Sequence, residues 1–242
     1  MKAVLATLLA MPSCLAGLTT TPAGASDRVR QAEQAYLARD YAGAEKGYLA
    51  AIAAGGESAD LEYDLGTAAA QAGDVGQAVL HLSRALKLSP WDADARRNLD
   101  RVFERRVDKV VGGSLGGGPL QRLLQGLPAA ALTWLFGALW VLAFAIHALR
   151  RRARSLPVAI LVAALACGAL AWASARTQAL PFAVVVAKVV PVRSGPGPDR
   201  PKSFEIHEGL EVLLRDRQDG WARVRLANGL EGWVEVGQVE RI

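Results

Sequence analysis

Four patterns of apolar and polar positions follow one another along the 242-residue chain. The first 25 residues hold a short apolar run that ends in the small residues Ala23-Gly24-Ala25, which is typical of an export signal peptide; an uncleaved anchor is the alternative. Helical spacing, two continuous apolar runs and period-two alternation follow, so we predict a multidomain chain: an all-α helical repeat, a two-helix transmembrane hairpin and an all-β barrel. The predicted boundaries are 1–25 for the signal peptide, 26–109 for the helical repeat, 110–125 for a linker, 126–149 and 156–175 for the membrane helices, 150–155 for the turn between them, and 182–242 for the barrel.

The two continuous apolar runs predict transmembrane helices. Residues 126–149 contain one titratable residue, His147, and residues 156–175 contain none. At about 1.5 Å per residue, each helix reaches across a hydrocarbon core of roughly 30 Å. The four arginines of residues 150–155 place the turn in the cytoplasm under the positive-inside rule. Both flanking domains are therefore predicted on the other side of the membrane, in agreement with the export signal.

The linker is rich in glycine from Gly112 to Gly118. Such a composition is typical of a flexible connection. It lacks the Gly-Lys-Ser/Thr of a phosphate-binding loop, so we predict no nucleotide site there. We expect the helical repeat to move relative to the membrane.

The net charge of +5 comes from 28 Lys and Arg against 23 Asp and Glu. Residues 26–108 hold 11 basic and 14 acidic residues, and residues 182–242 hold nine of each, so the basic excess flanks the apolar runs. This distribution indicates a lipid bilayer as partner and no nucleic acid. The sequence shows no recognisable catalytic set and no Cys/His metal spacing, so we predict no enzyme activity, no cofactor and no metal site.

Residues 40–52 recur at residues 74–86 with an offset of 34 at every matched position. Together with Leu65-Gly66, Gly73-Asp74 and Pro90, this period resembles the tetratricopeptide repeat family. The resemblance implies two helical hairpins closed by a capping helix from Asp92 to Asp108. The matched residues are Asp40-Tyr41, Ala44, Tyr48 and Ala51-Ile52 in the first copy and Asp74-Val75, Ala78, Leu82 and Ala85-Leu86 in the second.

The same resemblance implies that the first helix of each hairpin lines a concave face that binds a peptide or protein. Tyr63, Asn98 and Arg101 are the predicted partner-binding residues on this face. Arg101 with Asn98 would hold a carboxylate. The alternative is an ordinary solvated helix face. The full set placed on the face by register is Tyr36, Tyr63, Asp64, Asn98, Arg101 and Arg105.

After Pro181 the alternation predicts five short strands separated by Gly, Pro, Asn and Asp turns. Residues 191–196, Asp219-Gly220-Trp221 and residues 228–234 resemble the bacterial SH3-like domain in order and spacing. The resemblance implies a small barrel that binds cell-wall peptides or protein partners. We expect Trp233 to fill the barrel core and Trp221 to contact the ligand; the alternative is that both tryptophans only pack.

The order of signal peptide, repeat, hairpin and barrel resembles BatE-type proteins of bacterial aerotolerance operons. The resemblance implies membrane-anchored von Willebrand factor A domain proteins and a MoxR-type ATPase as partners, in envelope stress or assembly. It predicts a non-catalytic adaptor in the bacterial cytoplasmic (inner) membrane, with both soluble domains on the periplasmic side. The alternative is a cell-wall (peptidoglycan) sensor or anchor that acts through the barrel.

The membrane topology is testable with reporter fusions in cells. Fusions after Asp108 and after Ile242 should both report export, because the arginine turn is retained in the cytoplasm. A phosphatase reporter that is active only outside the cytoplasm measures this. Cytoplasmic localisation of either fusion would contradict the predicted orientation.

Overall fold

The computed structural model describes residues 23–55, 57–108, 119–149 and 155–242. The predicted signal peptide before Ala23, residues 110–118 of the predicted linker and the arginines of the turn lie outside the described residues. The helices are α1 (Ala23–Leu37), α2 (Tyr41–Gly55), α3 (Ala59–Ala72), α4 (Val75–Leu88), α5 (Ala93–Arg105), α6 (Pro119–Gly126), α7 (Ala129–Leu149) and α8 (Ser155–Gln178). The strands are β1 (Phe182–Val185), β2 (Val189–Arg193), β3 (Lys202–His207), β4 (Glu211–Gln218), β5 (Trp221–Arg225), β6 (Glu231–Glu235) and β7 (Val239–Arg241).

Helices α1 to α5, the helical domain, form two hairpins and a fifth helix. The same N-terminal cap occurs at the 34-residue offset: Asp40 Oδ1 accepts from the Gly43 amide and Asp74 Oδ1 from the Gln77 amide, both at 2.9 Å. Each cap satisfies an amide that the first turn of the helix leaves unpaired. The matched apolar positions are buried: Ala44 and Ala78, Tyr48 and Leu82, Ala51 and Ala85.

The two turns inside the hairpins also correspond. Gly73 adopts φ of 87°, and Arg39, 34 residues earlier, adopts φ of 63°. Glycine enters this left-handed region without the steric penalty that a side chain brings. The 34-residue period therefore corresponds to two similar helical hairpins, α1–α2 and α3–α4. Their assignment to the tetratricopeptide family stays a prediction.

Helices α7 and α8 pack together as a hairpin. Their segments Ala129–His147 and Val158–Gln178 have mean hydropathies of 2.1 and 2.2, and both are long and apolar enough to cross a membrane. Small residues lie where the two helices meet. Ala164 is fully buried, and a Cβ atom on Gly168 would lie 3.1 Å from the ring of Phe136. Such residues allow the close helix approach that is common in membranes.

The predicted linker 110–125 runs into a helix, because α6 begins at Pro119 and packs on α8. The Ser174 Oγ lies 2.8 and 3.0 Å from the carbonyl oxygens of Leu124 and Leu127, within hydrogen-bond distance of both. These carbonyls belong to the end of α6 and the turn after it. The last carbonyls of a helix have no N–H donor within the helix, so they need a partner from another element. Residues 119–125 of the predicted linker are therefore helical.

The seven strands form one antiparallel sheet in the order β3-β2-β6-β5-β4-β1-β7. The sequence predicted five strands, with one from Val184 to Val192. That segment is two strands, because β1 pairs with β4 and β7 while β2 pairs with β3 and β6. The residues that fill the interior include Ala183, Val185, Val190, Val192, Ile206, Val212, Ala222, Val224 and Val234.

Strand β1 joins the helical domain to the barrel. Successive side chains of a strand point to opposite faces. Ala183 and Val185 accordingly lie in the barrel core, whereas Val184 is fully buried in the core of the helical domain with Leu82 and Leu99. One strand therefore completes both cores, and the helical domain packs directly on the barrel. The expectation that the helical repeat moves relative to the membrane stays a prediction.

Two glycines allow this close approach. A Cβ atom on Gly76 of α4 would lie 3.0 Å from Cα and O of Val186. A Cβ atom on Gly209, between β3 and β4, would lie 2.8 Å from Val75. The Val186 backbone therefore occupies the space beside Gly76, and the Val75 side chain occupies the space beside Gly209. Neither position has room for a side chain larger than the hydrogen of glycine.

Polar contacts surround this apolar interface. Lys87 Nζ donates to the Ile242 carbonyl at 2.7 Å, and Arg84 Nη2 donates to the Arg241 carbonyl at 2.8 Å. On the opposite side, the His207 amide donates to Asp108 Oδ2 at 2.6 Å, and His207 Nδ1 lies 3.0 Å from Asp108 Oδ1.

We predict that Gly76→Leu separates the two domains without unfolding α4, since leucine favours helices but collides with the β1 side. Calorimetry of the full chain in detergent should show the helical domain and barrel melting together in the parent and in two transitions in the variant. Gly237→Leu is the control, because a Cβ atom at Gly237 meets nothing within 4 Å. A single unchanged transition in Gly76→Leu would contradict the shared core.

Candidate binding surfaces

The first surface is the face shared by α1, α3 and α5, which we call the helical face. The Asn98 amide group donates to Tyr63 Oη at 3.1 Å and to Thr67 Oγ1 at 3.3 Å. Arg101 Nη1 donates to Asn98 Oδ1 at 3.1 Å. The structure thus brings the three predicted residues of this face together in one hydrogen-bonded chain.

This chain changes the predicted role of Asn98. An asparagine side chain has two amide hydrogens, and those of Asn98 point to Tyr63 and Thr67. Asn98 therefore orients Arg101 instead of donating to a ligand itself. Arg101 is exposed and has further guanidinium hydrogens besides the one donated to Asn98, and a guanidinium group is suited to bind a carboxylate.

The other end of the helical face is acidic. Burial, and after it the nearby carboxylates of Glu33 and Asp60, raise the pKa of Asp64 to about 6. Burial also raises the pKa of Tyr48 to about 12, with Asp64 as the next cause. Tyr36 stands beside this group, with its ring 5.4 Å from that of Tyr41.

The helical face therefore carries opposite charges at its two ends. Carboxylates of α1 and α3 lie at one end, and Arg101 and Arg105 of α5 at the other. Arg105 Nη1 donates to the Ala70 carbonyl at 3.0 Å, which fixes it against α3. Such a face suits an extended segment that presents cations toward α1 and a carboxylate toward α5.

The second surface is the outer side of strands β2, β6 and β5, which we call the tryptophan face. Trp233 of β6 lies directly opposite Arg193 of β2 and Arg223 of β5 in the pairing register. Directly opposed residues share one side of a sheet. The guanidinium carbon of Arg193 also lies 6.0 Å from the Trp221 ring centroid. Two tryptophans and two arginines therefore share this face.

The expectation that Trp233 fills the barrel core is wrong. Gly232 and Val234 are buried on either side of it, so the alternation of β6 turns Trp233 outward, where it is half-buried. A Cβ atom on Gly232 would lie 2.3 Å from Val192, so the inward position has no room for a side chain. Trp221 also points away from the interior, because Ala222 and Val224 fill that side.

Trp221 is nevertheless buried, with 9% of its surface exposed. The predicted ligand residue is thus the less accessible of the two tryptophans, and Trp233 offers more surface to a partner. Trp221 lies apart from the helical face, on β5, and the structure does not bring it near Tyr63, Asn98 or Arg101.

Sequence reasoning missed the arginines of the tryptophan face. Arg193 and Arg223 stand among solvent-facing charges in the alternation, and nothing local distinguishes them from ordinary surface residues. Only the strand pairing sets both opposite Trp233. Glu231 restrains Arg223 with a 2.6 Å hydrogen bond, which holds its guanidinium on this face.

The barrel has a counterpart among known protein families. Residues 186–240 match the bacterial SH3 domain. The match runs from just before β2 into β7 and includes both residues of the tryptophan pair, Trp221 and Trp233. No curated protein shows significant similarity to the chain. Within the part of the chain that the structure describes, no group of three or more His, Cys, Asp or Glu is placed to hold a metal ion.

We predict that Asp64→Asn stabilises the full chain above pH 6. The folded-state pKa of Asp64, about 6, exceeds the usual 3.8, so the folded state holds a proton that the unfolded state has already released. The free energy of unfolding of the parent therefore falls as pH rises from about 4 to about 6 and stays at the lower value above pH 6, as far as Asp64 determines it. The variant should lack this loss, and the difference in melting temperature between variant and parent should grow across that interval. Asp216→Asn on exposed β4 is the control, and an equal profile in both variants would contradict the assignment to Asp64.

Proposed function

We propose that the chain is a non-catalytic, membrane-tethered adaptor that presents two protein-binding surfaces in the bacterial envelope. The observation that supports this most is the shared core of the helical domain and the barrel. It uses β1, which lies next to the end strand β7, and leaves β6 and β5 in the middle of the sheet for the tryptophan face. One body thus offers the helical face and the tryptophan face together.

The barrel family supports a binding role. A bacterial SH3 domain suggests binding of proteins or of the cell wall, and the cell wall lies outside the cytoplasm. In our proposal, α7 and α8 are the two spans in the cytoplasmic membrane. The arginines at 150–154 then hold the turn inside, and both soluble domains lie on the periplasmic side.

For the helical face we propose a protein partner. Its tetratricopeptide-like hairpins present Arg101, held by Asn98, at one end and Asp64 with its acidic neighbours at the other. An extended segment with both charges is the matching ligand. Membrane-anchored von Willebrand factor A domain proteins and a MoxR-type ATPase complex, in an aerotolerance or envelope-stress assembly, are the candidate partners carried by the resemblance to BatE-type proteins.

The alternative function is a peptidoglycan sensor or anchor, and the tryptophan face is the observation that favours it. Arg193 and Arg223 flank Trp233, so the face combines a flat aromatic surface with two guanidinium groups. Peptidoglycan stem peptides carry carboxylates, which arginine binds through charge-assisted hydrogen bonds. An aromatic ring beside them supplies the apolar part of such a site.

Crosslinking in membranes tests the adaptor. The full chain with Arg101→Glu should capture its envelope partners at least several-fold less than the parent, because the reversed charge repels a carboxylate. Arg97→Glu is the matched control: Arg97 lies one turn away on α5, is exposed and pairs locally with Asp94. Equal capture by both variants and the parent would contradict a docking role for the helical face.

Sedimentation with purified sacculi tests the alternative. If the barrel binds peptidoglycan, the parent chain should sediment with sacculi, and Trp233→Ala should reduce this several-fold while the melting temperature changes little, because Trp233 lies outside the core. Trp221→Ala should instead lower the melting temperature, since truncation of a buried tryptophan costs about 3–5 kcal/mol. No sedimentation of the parent would leave the adaptor as the function.

A further inference from the structure

Three large apolar side chains stay exposed where the helical domain meets the apolar hairpin. Trp91, in the turn between α4 and α5, is 67% exposed, and Leu120 and Leu123 of α6 are 67% and 48% exposed. We call these three residues the apolar edge. A Cβ atom on Gly126 would lie 2.5 Å from the Trp91 ring, so the indole lies against the end of α6. Residues three apart share a helix face, and Leu123 therefore lies on the same side of α6 as the indole.

The leucines of α6 and of the turn after it have the spacing of an amphipathic helix. Leu120, Leu123, Leu124 and Leu127 fall at positions i, i+3, i+4 and i+7. In a water-soluble domain such a row faces the core. Here Leu120 and Leu123 remain exposed although α6 packs on α8. An apolar row left exposed on a packed helix indicates that another apolar phase covers it.

The end of α6 has the hydrogen bonding that an apolar environment requires. The last carbonyls of a helix have no donor within the helix, and in water the solvent supplies one. Here side chains of other elements supply donors to four consecutive carbonyls. The pairs are Ser174 Oγ with Leu124 at 2.8 Å, Gln178 Nε2 with Gln125 and with Leu127 at 3.1 Å, and Trp91 Nε1 with Gly126 at 3.2 Å. Backbone groups in contact with lipid must be paired within the protein in this way.

The same contacts fix the level of α6 relative to the apolar hairpin. Gln178 is the last residue of α8, and Ser174 lies four residues before it, roughly 6 Å along the helix axis. The end of α6 therefore lies level with the last turn of α8. In the proposed topology, this turn is at the outer surface of the membrane.

Tryptophans lie near this end on both helices of the hairpin. Trp134 is five residues after the start of α7, Trp172 is six residues before the end of α8, and both are exposed. The guanidinium carbon of Arg176, one turn closer to the end, lies 5.2 Å from the Trp172 ring centroid. Tryptophan is enriched at the membrane–water interface, and arginine beside it reaches toward the headgroups. The apolar edge is therefore at the level where the headgroup region begins.

The charged residues that follow Trp91 are paired locally. Asp92 Oδ1 accepts from the amides of Asp94 and Ala95 at 2.9 and 3.0 Å, which holds its carboxylate at the start of α5. The Asp94 carboxylate pairs with Arg97. A surface that lies in the membrane interface carries such groups on its polar side, so they are compatible with insertion of the Trp91 ring.

We propose that the apolar edge inserts into the outer leaflet of the membrane, with Trp91, Leu120 and Leu123 between the headgroups and the first carbons of the acyl chains. The bilayer is then a direct partner of the helical domain as well as of α7 and α8. Because the contact is apolar, it does not depend on anionic lipid. The membrane then holds the helical domain, and the barrel packed on it, against its surface.

This inference rests on the membrane part of the proposed function, and one measurement tests the two separately. The full chain, with Cys14→Ser and Cys167→Ser, carries a nitroxide label on a single introduced cysteine and is reconstituted into phosphatidylcholine liposomes. The label's collision rate with oxygen, which concentrates in lipid, is compared with its collision rate with a water-soluble nickel chelate. The label sites are exposed, so labelling leaves the packing around them intact.

Labels at Leu120→Cys and Leu123→Cys should give an oxygen-to-nickel collision ratio several-fold higher than a label at Leu37→Cys. Leu37 is the matched control because it is 81% exposed at the end of α1. Consecutive helices of the helical domain run in alternate directions, so Leu37 lies at the end opposite the α4–α5 turn. Val141→Cys, exposed near the middle of α7, reports insertion and should give the highest ratio.

A label at Val141 that collides mainly with the nickel chelate would contradict the membrane part of the proposed function. A label at Val141 in lipid, with labels at Leu120 and Leu123 in water, would overturn only the apolar edge. Loss of collisions with both reagents at Leu120 and Leu123 would show that protein covers the edge and would also overturn the proposal. Spin–spin broadening that disappears on dilution with unlabelled chain would then identify that protein as a second copy.

Discussion

The structure depends on one strand that belongs to two hydrophobic cores. Ala183 and Val185 of β1 complete the barrel, and Val184 between them completes the helical domain. A strand presents alternate side chains to opposite sides, so a strand of four residues is enough to pack the two domains against each other. Removal of water from both sides of β1 favours the joined state, and the glycines at 76 and 209 make the approach possible.

The joined domains determine where binding can occur. The sheet end that holds β1 and β7 is occupied by the helical domain, so the middle strands β6 and β5 keep the outer surface on which Trp233 stands. The helical face lies on α1, α3 and α5, whereas the shared core is made mainly by α4 with part of α5. Two surfaces of different chemistry, one with opposite charges and one with aromatic rings and arginines, are thus held in a fixed relation.

The same arrangement explains why the apolar hairpin matters to the soluble part. Ser174 of α8 holds the turn that follows α6, and Trp91 binds the carbonyl of Gly126 in that turn. These contacts bring the carboxyl-terminal end of α4 beside the ends of the apolar helices, where Lys87, Leu127 and Thr177 line one open cleft.

The sequence alone determined the elements whose signal is local. The 34-residue period and the two apolar runs follow from residue spacing, because helical periodicity and the length of an apolar run are properties of neighbouring residues. The barrel was also evident, from its turn residues and alternation. Tertiary structure decided the rest. The outward direction of Trp233 depends on the close packing of Gly232 against Val192, and the arginines beside it come from other strands. The sequence around Val184 gave no sign that alternate side chains of β1 enter different cores. That arrangement depends on the contacts of Val184 with residues of α4 and α5, which lie far away along the chain.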